Sequence, residues 1–372
     1  MTLASALERG AFDGPVGRCI ALLWAQVARR SLLRPVVYDG QALIVAVGGA
    51  TLGGSGKTPL AIACATTLAA AGVRVVFVGH AYRARPRIPR RVSIFDSVQD
   101  VGDEALVAAQ VLSPAGVDVV VGPRRSAAVS FASRLADVVV MDGVAQTSPV
   151  RASLALLAVD GCEPWGKTGL VPPSGDLRAP VDALRTACDA VVAITDPEME
   201  SFNKVVGAWT ATVRSRGVWI NERIVPWSCL RGTRVGLVCA LARADRVARF
   251  LEARGVTVSA LIRERDHGPV RPSLAGRLSR ANGRECVDLW MTTAKCAVHL
   301  AATQHRHSCV NPAVIDYSLS PEGELLSQLR ALASRRRALT GDISGHILKS
   351  HLRGIEERGA KGPSFRPERV TE

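Results

Sequence analysis

ALIVAVGGATLGGSGKTP, residues 42–59, joins an apolar run to a glycine cluster that ends in Gly56, Lys57 and Thr58. The apolar run reads as a short buried strand, and the alanine-rich sequence through Ala71 reads as a helix stopped by Gly72. Strand, glycine loop and helix in that order make a phosphate cradle. Glycines 53, 54 and 56 let the backbone curl so that successive N–H groups point inward. The helix that follows turns its positive end toward the bound phosphate. Thr51, Leu52, Gly53, Gly54, Ser55, Gly56, Lys57 and Thr58 are therefore the expected nucleotide loop. Lys57 would neutralise the β and γ phosphates of ATP, and Thr58 would offer a hydroxyl to Mg²⁺. One position departs from the usual pattern, because Thr51 stands where the first glycine of such a loop belongs.

A loop of this kind needs a carboxylate at the end of a neighbouring buried strand to hold the metal's water shell. DVVVMDG, residues 137–143, supplies Asp142 directly after an apolar run. Apolar runs at 73–78, 117–122, 152–161 and 189–194 repeat the pattern with helical sequence between most of them, the alternation of a parallel sheet. Polar sequence over 196–233 breaks the rhythm, which resumes at 234–242, 256–262, 286–293 and 313–319. The expected fold class is thus α/β, a P-loop NTPase-like parallel sheet with helices on both faces over 35–200 and a second, smaller α/β domain over 201–340. An N-terminal amphipathic helix (1–34) and a polar, disordered tail (341–372) complete the expected organisation.

The formal net charge of +14 and a pI near 10.0 call for an anionic partner: nucleic acid, an acidic membrane surface or a phosphorylated substrate. Aromatic residues are only 4% and do not interleave with basic segments, which argues against single-stranded nucleic acid. The nine cysteines lack CxxC pairs and read as small hydrophobes of a reducing compartment. His305, His307 and Cys309 have no second cluster at zinc-like spacing, so no metal is expected there. Near the N-terminus, Val16, Ile20, Leu23, Trp24 and Val27 share a helical face, with Arg18 and Arg29 opposite. The segment is shorter than the ~20 apolar residues of a spanning helix. It fits a helix lying in a membrane interface and, equally, a first helix packed on the protein's own core.

Taken in order, VGGATLGGSGKTP, GHAYR, VGDEALVAAQVL, MDG, GLVPPSGDLRAP, RDHGP and MTTAKCAVHL resemble the tetraacyldisaccharide 4′-kinase family, the lipid A 4′-kinases, over roughly residues 35–300. Threonine in place of the first loop glycine and proline after Gly-Lys-Thr are habits of that family. The resemblance implies an ATP-dependent lipid kinase at the cytoplasmic face of the bacterial inner membrane, peripheral or monotopic. It would phosphorylate the 4′-hydroxyl of an anionic acylated glucosamine disaccharide 1-phosphate, giving lipid IVA in lipid A (lipopolysaccharide) biosynthesis. No protein partner is inferred. A sugar hydroxyl needs a base as the new bond forms. By resemblance that base is Asp103 of GDE, assisted by His267 of RDHGP, with Lys57 as the third catalytic residue. Tyr82, Arg83 and Arg178 fall in matching motifs and are the expected substrate contacts. From the residues alone, Asp103 and Glu104 equally suit the first turn of a helix, where acids offset the dipole.

Several family positions are altered. Met141 replaces the first of two aspartates, and Ala145 and Gln146 stand where the family has Gln-His. Ala179 replaces a glutamate, Ala294 and Cys296 replace the acids of Thr-Glu-Lys-Asp, and Gly79, His80, Ala81, Tyr82, Arg83 replace Ser-Arg-Gly-Tyr-Gly. Two other readings therefore stay open: a P-loop transferase or ATPase acting on a soluble substrate, and a degenerate homologue that binds nucleotide and membrane without catalysis. RARPRIPRR, residues 83–91, leaves the second strand at the edge that carries the nucleotide loop, and reads either as a solvated basic loop or as a phosphate or membrane contact.

Overall fold

The structure, a computed structural model, describes residues 3–32, 40–143, 152–199, 205–241, 243–264, 273–307, 311–336 and 338. The expected tail over 341–372 lies outside the described residues. Two helices open the chain, α1 (Leu3–Glu8) and α2 (Pro15–Leu32). The first unit begins with β1 (Leu43–Gly49), α3 (Lys57–Ala70), β2 (Val75–Val78), β3 (Arg90–Arg91), α4 (Val98–Val101), α5 (Asp103–Leu112) and β4 (Asp118–Val121). It continues through α6 (Arg125–Ser133), β5 (Val138–Asp142), β6 (Leu154–Asp160), α7 (Val181–Thr186), β7 (Ala190–Thr195) and β8 (Trp209–Arg214). A second unit follows with β9 (Gly217–Ile220), β10 (Arg223–Pro226), β11 (Arg234–Cys239), α8 (Ala244–Glu252) and β12 (Thr257–Arg263). It closes with α9 (Leu274–Glu285), β13 (Leu289–Thr292), α10 (Ala294–His307) and β14 (Ala313–Ile315), before β15 (Ser318–Pro321) and a helical stretch over 323–336.

Among the described residues the larger sheet has nine strands in the order β15-β8-β7-β6-β1-β5-β2-β4-β3. Pairing is parallel from β8 to β4, with β15 and β3 antiparallel at the edges. Side chains of β1 alternate between faces: Val45 and Val47 pack with Leu60, Leu68 and Phe77, while Ile44 and Ala46 pack with Val139 and Met141. Helices cover both faces, which is why the strands read as continuous apolar runs. Complete burial of a Leu or Phe side chain here is worth about 1.5–3 kcal/mol, and Leu60, Leu68 and Phe77 are fully buried.

Among the described residues the smaller sheet has six strands in the order β10-β9-β14-β13-β11-β12. β9 and β10 form a hairpin whose two-residue turn, Asn221 and Glu222, takes positive φ at both positions (+47° and +64°), as a type I′ turn requires. Polar sequence around these strands hides them, because each is only four residues long. Sheet membership divides the chain elsewhere than at 200/201 and 340. β8 and β15, both within the expected second domain, pair in the first sheet. AVIDYSL, which reads as one strand, breaks after Ile315 into β14 of the small sheet and β15 of the large one.

Helix α2 lies on the first unit through its small side chains. Ala21, Ala28 and Leu32 are buried against Leu157, Val159 and Val191, and Arg29 pairs with Asp182 of α7. The larger residues point away: Val16, Ile20, Leu22, Leu23, Trp24 and Val27 are all at least half-exposed or nearly so, Leu23 at 72%. The reading as a helix packed on the protein's own core describes its buried side.

Candidate active site

The chain crosses the sheet one way from β1 to β4 and the other way from β6 to β8, so its winding reverses beside β1. Open parallel sheets bind ligands at such a reversal, beyond the carboxyl ends of their strands. A cavity of about 970 Å³ lies there, walled by residues 52–58 and, from the second unit, by Arg243, Arg246 and Lys295. Gly54 and Gly56 take left-handed backbone (φ +69° and +76°) that other residues disfavour. Thr51 takes no such conformation. It bridges Leu177 in antiparallel fashion, and its hydroxyl donates to the Gly53 carbonyl at 2.8 Å. An extended residue at this point needs no glycine, which accounts physically for the departure from the usual loop. Arg178 donates through Nε to the Thr51 carbonyl (2.8 Å) and through Nη2 to that of Leu52 (3.3 Å). This expected substrate contact therefore spends much of its guanidinium on bracing the loop.

Within the cavity, Lys57 Nζ lies 3.1 Å from Glu104 Oε2 and 3.5 Å from Asp142 Oδ2. Thr58 Oγ1 donates to Asp142 Oδ2 at 2.6 Å. Asp142 is fully buried, and its Oδ1 has no hydrogen-bond partner among the described residues. A buried carboxylate oxygen left free beside a hydroxyl suits a hard dication such as Mg²⁺, which keeps several waters and takes only one or two protein carboxylates. Met141 packs on the opposite face with Ile44 and Val139. The acid missing at that position thus leaves the cavity side of β5 unchanged, by strand alternation.

Asp103 opens α5 and is 1% exposed. Its Oδ1 accepts the Glu104 N–H at 2.8 Å, and its Oδ2 lies 3.1 Å from His299 Nε2. Lys295 Nζ reaches Glu104 Oε1 at 3.3 Å and Asp103 Oδ2 at 3.8 Å. Lys295 and His299 are four apart on α10 and so share a face. The structure thus brings together Lys57, Thr58, Asp103 and Asp142. Tyr82 lines the same cavity with the Arg83 guanidinium 5.3 Å from its ring centre. His267, together with Asp266, Ala145 and Gln146, lies outside the described residues.

A sequence profile for the family described as tetraacyldisaccharide-1-P 4′-kinase (LpxK) matches residues 17–334. The chain belongs to this kinase family. Among relatives named tetraacyldisaccharide 4′-kinase, that of Methylorubrum extorquens is 32% identical over 325 residues, covering 86% of this chain and 94% of the relative. That of Paramagnetospirillum magneticum is 30% identical, covering 82% and 92%. In three dimensions the chain is similar to the "apo" form of LpxK from Aquifex aeolicus crystallised in complex with ATP. The TM-score is 0.59 and the identity 20%, covering 90% of this chain and 99% of that one. At that identity the likeness concerns the fold, here the P-loop α/β fold. Family membership does not favour the readings as a soluble-substrate transferase or a non-catalytic homologue.

This LpxK-family chain also carries site residues that sequence reasoning passed over. His299 and Lys295 stand in MTTAKCAVHL, where the sequence reading gave neither of them a role. His80 lines the cavity, and burial together with the Arg125 charge pushes its imidazole down to about 4. Arg125 donates to the Asp142 backbone carbonyl. Cys296, at a position where the family has aspartate, accepts the Ala240 N–H and the Thr293 hydroxyl, each at 3.1 Å. A hydrogen bond from Cys239, with these two donors, pulls its thiol below the ordinary range despite burial.

Proposed function

We propose that the chain transfers the γ-phosphoryl group of ATP to the 4′-hydroxyl of tetraacyldisaccharide 1-phosphate, with Asp103 accepting the hydroxyl proton. The bond from the γ-phosphorus to the bridging oxygen breaks as the bond to the 4′-oxygen forms, and ADP leaves with the electron pair. The observation that carries this reading is the buried Asp103 carboxylate, held by His299 in the same constellation as Glu104 and Lys57. Lys57 offsets negative charge on the β and γ phosphates, and His299 orients Asp103. Asp142 and Thr58 would hold Mg²⁺, which supplies further charge neutralisation at the phosphates. By resemblance His267 also supports the base, while Tyr82 and Arg83 contact the substrate.

The exposed apolar side of α2, with Arg29 and Arg30 in its last turn, supports peripheral attachment to an anionic membrane, where the acylated substrate resides. Among the described residues, no helix is long and apolar enough to cross a membrane. The test is direct: purified protein in detergent micelles with Mg²⁺, labelled ATP and the disaccharide 1-phosphate. Label appearing in a bisphosphorylated lipid supports the reading. Hydrolysis of ATP without lipid labelling would refute it.

A further inference from the structure

A second charge cluster abuts the glycine loop at Gly54. Arg243, the residue before α8, has a side chain only 4% exposed. Its Nη2 donates to Asp176 Oδ2, and its Nε lies 3.6 Å from Glu8 Oε1 of α1. Its Nη1 has no hydrogen-bond partner among the described residues. The side chain presses on the loop itself: a Cβ added to Gly54 would sit 2.7 Å from Arg243 Cδ. Arg246 donates through Nη1 to the Gly54 carbonyl and pairs through Nη2 with Asp160. Of the two guanidiniums, only that of Arg243 keeps a buried donor in reserve.

A guanidinium N–H buried without an acceptor is costly, and native structures keep such donors where a ligand completes them. Arg243 lines the cavity that also contains Gly53, Gly54, Ser55, Gly56 and Lys57. The acceptor that suits a charged, planar donor beside a phosphate-binding loop is a phosphate oxygen. We propose that Arg243 is a nucleotide-binding residue delivered by the second unit, its free Nη1–H donating to an oxygen of the ATP phosphate chain. This assignment rests on the kinase reading. Asp176 and Glu8 hold the guanidinium in place before nucleotide arrives. Loading of the loop then favours seating of the second unit on the first, the arrangement that also brings Lys295 and His299 to Glu104 and Asp103.

The experiment measures equilibrium binding of ATP, ADP and AMP to the full chain with Mg²⁺ and without lipid, for the unmutated protein, Arg243→Gln, Arg243→Lys and Glu8→Gln. Arg243→Gln is expected to weaken ATP about 10- to 100-fold, as loss of a charged hydrogen bond does, with the loss shrinking from ATP to AMP. Arg243→Lys should recover part of it, and Glu8→Gln, which loosens the guanidinium without removing it, should weaken ATP less than Arg243→Gln does. Equal losses for the three nucleotides, no loss, or a Glu8→Gln defect as large as that of Arg243→Gln would each overturn the proposal. If Arg243→Gln does not fold, Arg243→Lys decides: the same graded loss supports the assignment and unchanged ATP affinity refutes it. An unmutated chain that binds no ATP would sink the kinase reading itself, whereas normal binding with an indifferent Arg243 sinks only this inference.

Discussion

His299 Nε2 stands 3.1 Å from Asp103 Oδ2, although α10 and α5 are connected to different sheets and the residues lie 196 positions apart. If the histidine acts through the aspartate, Asp103→Ala and His299→Ala should each lower kcat with little change in ATP affinity. Loss of general-base help costs about 10²- to 10⁴-fold. The double variant should then be little worse than Asp103→Ala alone. Losses that multiply would separate the pair. The same cycle run with His267 tests the role that the family resemblance assigns to it.

Asp142→Asn should shift the Mg²⁺ dependence of activity and of ATP binding to higher concentration, by about 10- to 100-fold if the carboxylate orders the metal's waters. Its free buried Oδ1 is the reason. Overlaid Mg²⁺ titrations would leave Asp142 as a partner of Thr58 and nothing more.

His80 gives a pH prediction whose sign is fixed. Its imidazole is held at about 4, against an ordinary value of 6.5, so between these values the unfolded chain binds a proton that the folded chain does not. The stabilisation from keeping His80 neutral is fully present above pH 6.5 and is lost as pH falls toward 4. Urea unfolding followed across this range should show His80→Gln with a shallower acid-side loss than the unmutated protein. Parallel curves would contradict the assignment.

For α2, replacing Leu22 and Leu23 with serine should lower sedimentation with anionic vesicles while leaving thermal stability nearly unchanged, since the two side chains are 70% and 72% exposed. Surface changes of this kind are usually within about 0.5 kcal/mol. Added salt should weaken the attachment further, because the arginine contribution is screened. Ala28→Asp, at a buried position, should instead destabilise the fold. Vesicle binding that survives the serine pair would place the membrane contact elsewhere.

Much of the candidate site was legible because its signals are local. The loop from Thr51 to Thr58, the acid closing VVVMD and the acids opening α5 each combine residues a few positions apart with a strand or helix end, and the structure brings Lys57, Thr58, Asp142 and Glu104 within hydrogen-bonding reach. The hairpin β9–β10 was illegible for the opposite reason: GVWI and RIVP are four residues each and lie within a longer polar stretch.

By itself the sequence determined the parallel α/β core, because runs such as LIVAVGG and LALLAVD can bury every side chain only between two layers of helix. It likewise determined that a glycine loop stands between a strand and a helix, with acids at neighbouring strand and helix ends. Only the tertiary structure decided that AVIDYSL serves two sheets, that Arg178 braces the loop, and that His299, Lys295 and Arg243 of the second unit reach the residues of the first. Those contacts join positions from 126 to 196 residues apart. Local periodicity fixes which face of an element is apolar, but the docking of one unit on the other depends on the summed shape and charge of both surfaces, which no short stretch of the chain contains.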